Sequence, residues 1–221
     1  MTKTVTKTDL QLKTDIEAEL AWDPSVNPSG IKVTVDRGAV SLDGIVNTFP
    51  AKWAAEDAVM RVAGARTIAQ HLAVEVLPEH RRSDAEIRSA ADHQLRWDVF
   101  VPRHITATVH EGVVTLQGQV TWNFQRAAAA RVIQSLAGVS EVANEIVLRP
   151  AVNKGHLKEV IERALHRQAK SAAASIHVTT TGETITLTGR VASWASAKDA
   201  EHVAWSVPGV TAVIDHLTIE P

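Results

Sequence analysis

Cysteine is absent from the 221 residues, and so is tyrosine. The first absence excludes disulfides, thiolate metal centres and cysteine nucleophiles. Aromatic residues make up only 4% of the chain, six of them tryptophan. An excess of one charge is lacking too: 23 Lys and Arg stand against 25 Asp and Glu, for a net −2. No third of the chain carries the basic surplus of a duplex-DNA binder, so no nucleic-acid partner is expected. No stretch approaches the roughly 18 apolar residues of a membrane-spanning helix, so no transmembrane segment is expected. Met1 to Thr8 holds Lys3 and Lys7 but no apolar run behind them, unlike a secretory signal. Residues 1–7 therefore read as a disordered tail, and the chain as cytoplasmic. There is no Gly-x-Ser-x-Gly elbow, phosphate loop, dinucleotide glycine pattern or His-Glu-x-x-His. No enzyme activity and no cofactor are expected. The ten histidines include no helical pair four apart, so no metal site is expected either.

What the chain does have is repetition. Leu42-Asp43-Gly44-Ile45-Val46 recurs as Leu116-Gln117-Gly118-Gln119-Val120 and as Leu187-Thr188-Gly189-Arg190-Val191. A second glycine, Gly64, Gly138 or Gly209, follows each first one by twenty positions. Three matches with one internal offset indicate tandem copies of a small domain.

Each copy begins with a helical stripe: Leu12, Ile16, Leu20; Ile87, Ala91, Leu95; Leu157, Ile161, Leu165. Ser83 with Glu86 reads as a capping box, and Thr8 with Gln11 as a weaker one. Alternating strands follow around Val33, Ala107 and Val178. Each turns through a glycine, at Arg37-Gly38, Glu111-Gly112 or Gly182-Glu183, into a partner strand. A second helix is expected near Ala51–Val62, Phe124–Leu136 and Ala195–Val207. Ala55, Ala129 and Ala200 share one column of it, and a last strand closes each copy.

The expected fold is α+β: three tandem α-β-β-α-β domains, each a three-stranded mixed sheet with two helices on one face. The domains run over 8–78, 79–150 and 151–221. Gly44, Gly118 and Gly189 read as structural glycines that admit a close helix or mark a bulge. Gly64, Gly138 and Gly209 read as structural helix stops in a left-handed conformation. The open sheet faces, rich in threonine, are expected to be partly buried between domains because the linkers are short.

This pattern resembles the BON domain, a family named for bacterial OsmY and nodulation proteins. Repeat two carries the resemblance nearly throughout: Gly112-Val113-Val114-Thr115-Leu116-Gln117-Gly118-Gln119-Val120, then Gly138-Val139, Val142, Asn144, Ile146 and Leu148. Repeat one has Gln70 in the asparagine column, and repeat three has Asp215. The resemblance implies non-enzymatic roles: association with phospholipid or membrane surfaces, tolerance of osmotic or envelope stress, and in some relatives ion binding.

Two function classes are kept. One is a stress-related module that binds anionic phospholipid or an envelope component. Its candidate residues are Lys154, Lys158, Arg163, Arg167 and Lys170 on the first helix of repeat three, Arg81 and Arg82, and Trp22 and Trp97. An indole at a helix end is either a lid on the core or an anchor in lipid headgroups. The other is a soluble structural or sensor module that binds a partner protein or a small ion such as potassium, with turn carbonyls as ligands.

Overall fold

In the computed structural model, residues 7–149, 176–207 and 209–219 are described. Residues 1–6 of the expected tail and the expected first helix of repeat three lie outside them. With that helix go the stripe Leu157, Ile161, Leu165 and the basic candidates Lys154, Lys158, Arg163, Arg167 and Lys170.

Domain 1 runs α1 (Asp9–Trp22), β1 (Ile31–Asp36), β2 (Ala39–Val46), α2 (Phe49–Arg61) and β3 (Thr67–Val74). Domain 2 repeats it as α3 (Asp84–Trp97), β4 (Thr106–His110), β5 (Val113–Val120), α4 (Asn123–Gln134) and β6 (Glu141–Leu148). The described part of domain 3 contains β7 (Ile176–Thr181), β8 (Thr184–Val191), α5 (Trp194–Trp205) and β9 (Ala212–Ile219). The fold is α+β, with three three-stranded mixed sheets. In each, the middle strand pairs antiparallel with its hairpin partner and parallel with the last strand.

Local chemistry starts each helix. Thr8 and Ser83 accept from the backbone N–H of Gln11 and Glu86, whose side chains accept from the cap N–H in return. Thr48 and Ser193 cap α2 and α5 in the same sense, each accepting from an N–H three residues on. Lys7, grouped with the tail by its sequence, pairs with Asp15 at 2.6 Å and is anchored to α1.

The core columns meet as their spacing requires. Leu42, Leu116 and Leu187 on the central strands are fully buried. They face Ala55, Ala129 and Ala200, whose small side chains let the second helix lie close on the sheet. Ile16 and Ile87 bring the first helix onto the same side.

The glycines act differently from the sequence reading. Gly44, Gly118 and Gly189 have φ of 131°, 141° and 126°. They face the start of the hairpin partner rather than a helix. A Cβ on Gly44 would lie 2.1 Å from the Gly30 carbonyl oxygen, and one on Gly118 would lie 2.7 Å from Ile105 Cδ1. Only glycine takes this backbone conformation without strain, and at Gly44 it also admits a close backbone approach.

Gly64, Gly138 and Gly209 also have positive φ, but they sit beyond the C′ position. The helices end in tightened turns such as Val62 N–H to Val59 O and Leu136 N–H to Ile133 O. In domains 1 and 2 the glycine then passes beneath the start of the first helix. A Cβ on Gly138 would come 2.9 Å from Arg82 Cβ and 3.0 Å from Ile87 Cδ1.

The open sheet faces are not packed together. Thr34, Thr106, Thr108, Gln117, His177 and Thr179 are exposed, and Ser41, Asp43, Thr115, Thr186 and Thr188 on the middle strands are half-buried. The domains meet at the ends of their second helices instead. Apolar area there outcompetes a threonine face, whose burial would desolvate hydroxyl groups.

Candidate functional site

Of the six tryptophans, Trp53 on α2 is 47% exposed, and the other five divide into two sets. Trp22 is 84% exposed and Trp97 is 73% exposed. Each is the last residue of a first helix, and an aspartate holds the next turn. Asp23 accepts from the N–H and the hydroxyl of Ser25 and from Arg61. Those bonds, led by the two from Ser25, hold its carboxyl below the usual range. Asp98 accepts from the Phe100 N–H at 2.8 Å. A rigid corner therefore presents each indole to solvent, and neither is a core lid. Trp122, Trp194 and Trp205 are only partly exposed.

Trp97 opens a larger apolar edge on domain 2. Val99 is 87% exposed, and Phe100 and Phe124 are 53% exposed each. Phe100 meets Phe124 edge-on with ring centroids 6.0 Å apart, and Phe124 stacks on Trp122 at 6.5 Å. His93 lies against the Trp97 ring at 5.7 Å. Arg96 and Arg103, close to this segment in the chain, are exposed and in no salt bridge among the described residues. Sequence reading found Trp97 but missed Val99, Phe100 and Phe124. The tell-tale was an apolar run, Val99-Phe100-Val101, outside any periodic element; only Val101 of that run is buried.

Arg81 and Arg82 are exposed, but their guanidinium groups brace the linker. Arg81 donates to the Val76 carbonyl, and Arg82 donates to those of Glu79 and Arg81.

In each turn named as a source of ion ligands, one carbonyl is already engaged. The carbonyls of Gly38, Gly112 and Glu183 accept from Arg66, Ser140 and Thr211 respectively. Asp9 accepts from the N–H groups of Arg37 and Gly38 at 2.7 and 3.0 Å, and Asp84 does the same for Glu111 and Gly112 at 2.9 and 3.0 Å. This carboxylate clamp from the first helix to the hairpin turn was missed in the sequence. Asp84 is held below its ordinary range by those donors, first Gly112 and then Glu111. Among the described residues no three His, Asp or Glu side chains cluster as metal ligands. His71 pairs across strands instead, its Nδ1 lying 3.2 Å from Asp43.

The column of Gln70, Asn144 and Asp215 is structural. Gln70 and Asn144 donate to the Lys52 and Arg126 carbonyls in the first turn of the second helix. Asp215 has no such donor and only accepts, from the Leu217 N–H. A cleft of about 180 Å³ lies between domains 1 and 2, lined by Phe49, His80 and Leu136 among others. It is smaller than the roughly 300 Å³ at which small-molecule pockets begin.

Three repeats, each built on a three-stranded mixed sheet packed by helix, define a tandem-repeat module. The BON domain matches residues 8–76, 83–150 and 153–221, nearly the whole chain, and the chain belongs to that family. Its domains are generally non-catalytic and associate with membranes or the envelope through lipid or protein binding. No curated protein matches the chain. Among solved structures, CdsD, a structural protein of the type III secretion system of Chlamydia trachomatis, aligns over 94% of this chain and 91% of its own, at 16% identity and a TM-score of 0.27. The C-terminal domain of CdsD aligns over 97% of this chain and 100% of its own, at 16% identity and a TM-score of 0.26. Neither alignment superposes the overall structure closely.

Proposed function

We propose that this protein is a non-catalytic, stress-related BON-repeat module that binds anionic phospholipid surfaces reversibly. The observation that carries the reading is the edge of Trp97, Val99, Phe100 and Phe124, exposed together, with Arg96 and Arg103 close in the chain. Monomeric proteins rarely leave such side chains together in water without use. Aromatic rings favour the headgroup layer, where the ring body is apolar and the rim meets water, and arginine adds attraction to anionic lipid. Trp22 supplies a second indole of the same kind on domain 1, and Arg81 and Arg82 add further cationic charge.

Apolar insertion and charge attraction together meet the need for two signals in stable attachment. The modest charge makes binding reversible and salt-sensitive. Flotation with vesicles of phosphatidylglycerol and phosphatidylcholine, against vesicles of phosphatidylcholine alone, tests the reading. The chain is expected in the floated fraction of the anionic vesicles only. Its absence from both floated fractions would refute the proposal.

A further inference from the structure

The second helices do more than cover their own sheets. Phe49, the first residue of α2, is 7% exposed and belongs to the core of domain 2, not domain 1. Beside it, the start of α2 borders the turn Leu136–Val139 that follows α4. Trp194, the first residue of α5, packs on the core of domain 1. Its indole N–H donates to the Ala65 carbonyl, just past the end of α2, at 3.0 Å. Arg126, near the start of α4, lies over the ring of Trp205, the last residue of α5, at 5.1 Å from its centroid. The direction is the same each time: the start of one second helix meets the end of another. Domain 1 docks on 2, domain 2 on 3, and domain 3 on 1.

We propose that the start of the second helix is the docking element of these domains, that its partner is the second-helix end of another repeat, and that Trp194 and Lys198 close the three repeats into a ring. Head-to-tail contacts form a ring when their rotation closes, and three copies suffice here. In the aligned column, Phe49 and Trp194 are aromatic where domain 2 has Asn123. Domain 2 substitutes the Arg126–Trp205 contact.

The joints are chemically distinct, and this fixes their order. Lys198 pairs with Asp57 across the third joint at 3.2 Å. The positions aligned with Asp57 are Arg131 and His202, and those aligned with Lys198 are Trp53 and Ala127. No other pairing of repeats reproduces that ion pair, and lysine facing Arg131 would be repelled. The residues in which the copies differ most thus include those that tell the copies apart.

The absence of cysteine allows clean spin labelling. Thr34→Cys and Thr179→Cys place labels on the exposed sheet faces of domains 1 and 3 in the full chain. Pulsed electron resonance should give one narrow distance distribution. Lys198→Glu, at a side chain 54% exposed, should broaden it while far-ultraviolet dichroism stays unchanged, and adding Asp57→Lys should restore it. Trp194→Ala should broaden it further. A broad distribution in the labelled parent, or a narrow one that survives Trp194→Ala with Lys198→Glu, would overturn the proposal.

Discussion

Gly44→Ala places a methyl group 2.1 Å from the Gly30 carbonyl oxygen and 3.2 Å from the carbonyl carbon. It also forces alanine to φ +131°. Such a conformation costs about 1–3 kcal/mol for a residue with a Cβ. The clash falls on backbone, so no side-chain rotation relieves it. The start of β1 must move away from β2, loosening the pairing of Ile31 with Gly44, and each hydrogen bond lost costs about 0.5–1.5 kcal/mol. Domain 1 should therefore lose about 2–5 kcal/mol. Gly118→Ala is the internal control. Its φ of +141° carries the same strain, but the nearest atom, at 2.7 Å, is the mobile end of Ile105. It should cost domain 2 about 1–3 kcal/mol. Hydrogen exchange read by mass spectrometry resolves the two domains separately, and every ~1.4 kcal/mol is a tenfold faster opening. A Gly44→Ala domain within about 0.5 kcal/mol of the parent would refute this. So would a cost no greater than that of Gly118→Ala.

The Asp84 clamp predicts acid sensitivity in domain 2. Its carboxyl is held below the ordinary 3.8 in the fold, so its stabilisation is present above that value and is lost as the pH falls through the folded one. Asp84→Asn should flatten the fall of the domain 2 urea midpoint across that acid range, and an unchanged slope would contradict the clamp. Asp215→Asn should restore to domain 3 the donor that Asn144 supplies in domain 2. It should reach the carbonyl at Ala197 and stabilise the domain by about 0.5–1.5 kcal/mol, read as slower exchange at the start of α5.

Periodicity made the domain legible. The stripe Leu12, Ile16, Leu20 and the column Leu42, Leu116, Leu187 are buried because period and burial are the same constraint. The helix boundaries shifted by a residue or two, since Thr48 and Ser193 start α2 and α5 earlier than the apolar pattern does. The roles of the glycines were not legible. Whether Gly44 admits a helix or a neighbouring strand depends on contacts that spacing does not encode. The Asp9 and Asp84 clamps join residues nearly thirty apart, which one sequence cannot pair. Trp22 and Trp97 were visible as a column, yet their exposure follows from the turns that Asp23 and Asp98 fix. Phe49 lies before the helix expected from Ala51, and only its neighbours reveal that it belongs to the core of domain 2.

The central claim is that domain 2 meets anionic lipid through its aromatic edge. The most direct measurement is flotation of Trp97→Ser/Phe100→Ser beside the unmodified chain on phosphatidylglycerol vesicles. Neither residue is buried, so both proteins should show the same thermal transition. Losing two partly inserted rings, at up to about 1.5–3 kcal/mol each if fully buried, should lower partitioning at least about tenfold. A variant that floats as well as the unmodified chain would contradict the account.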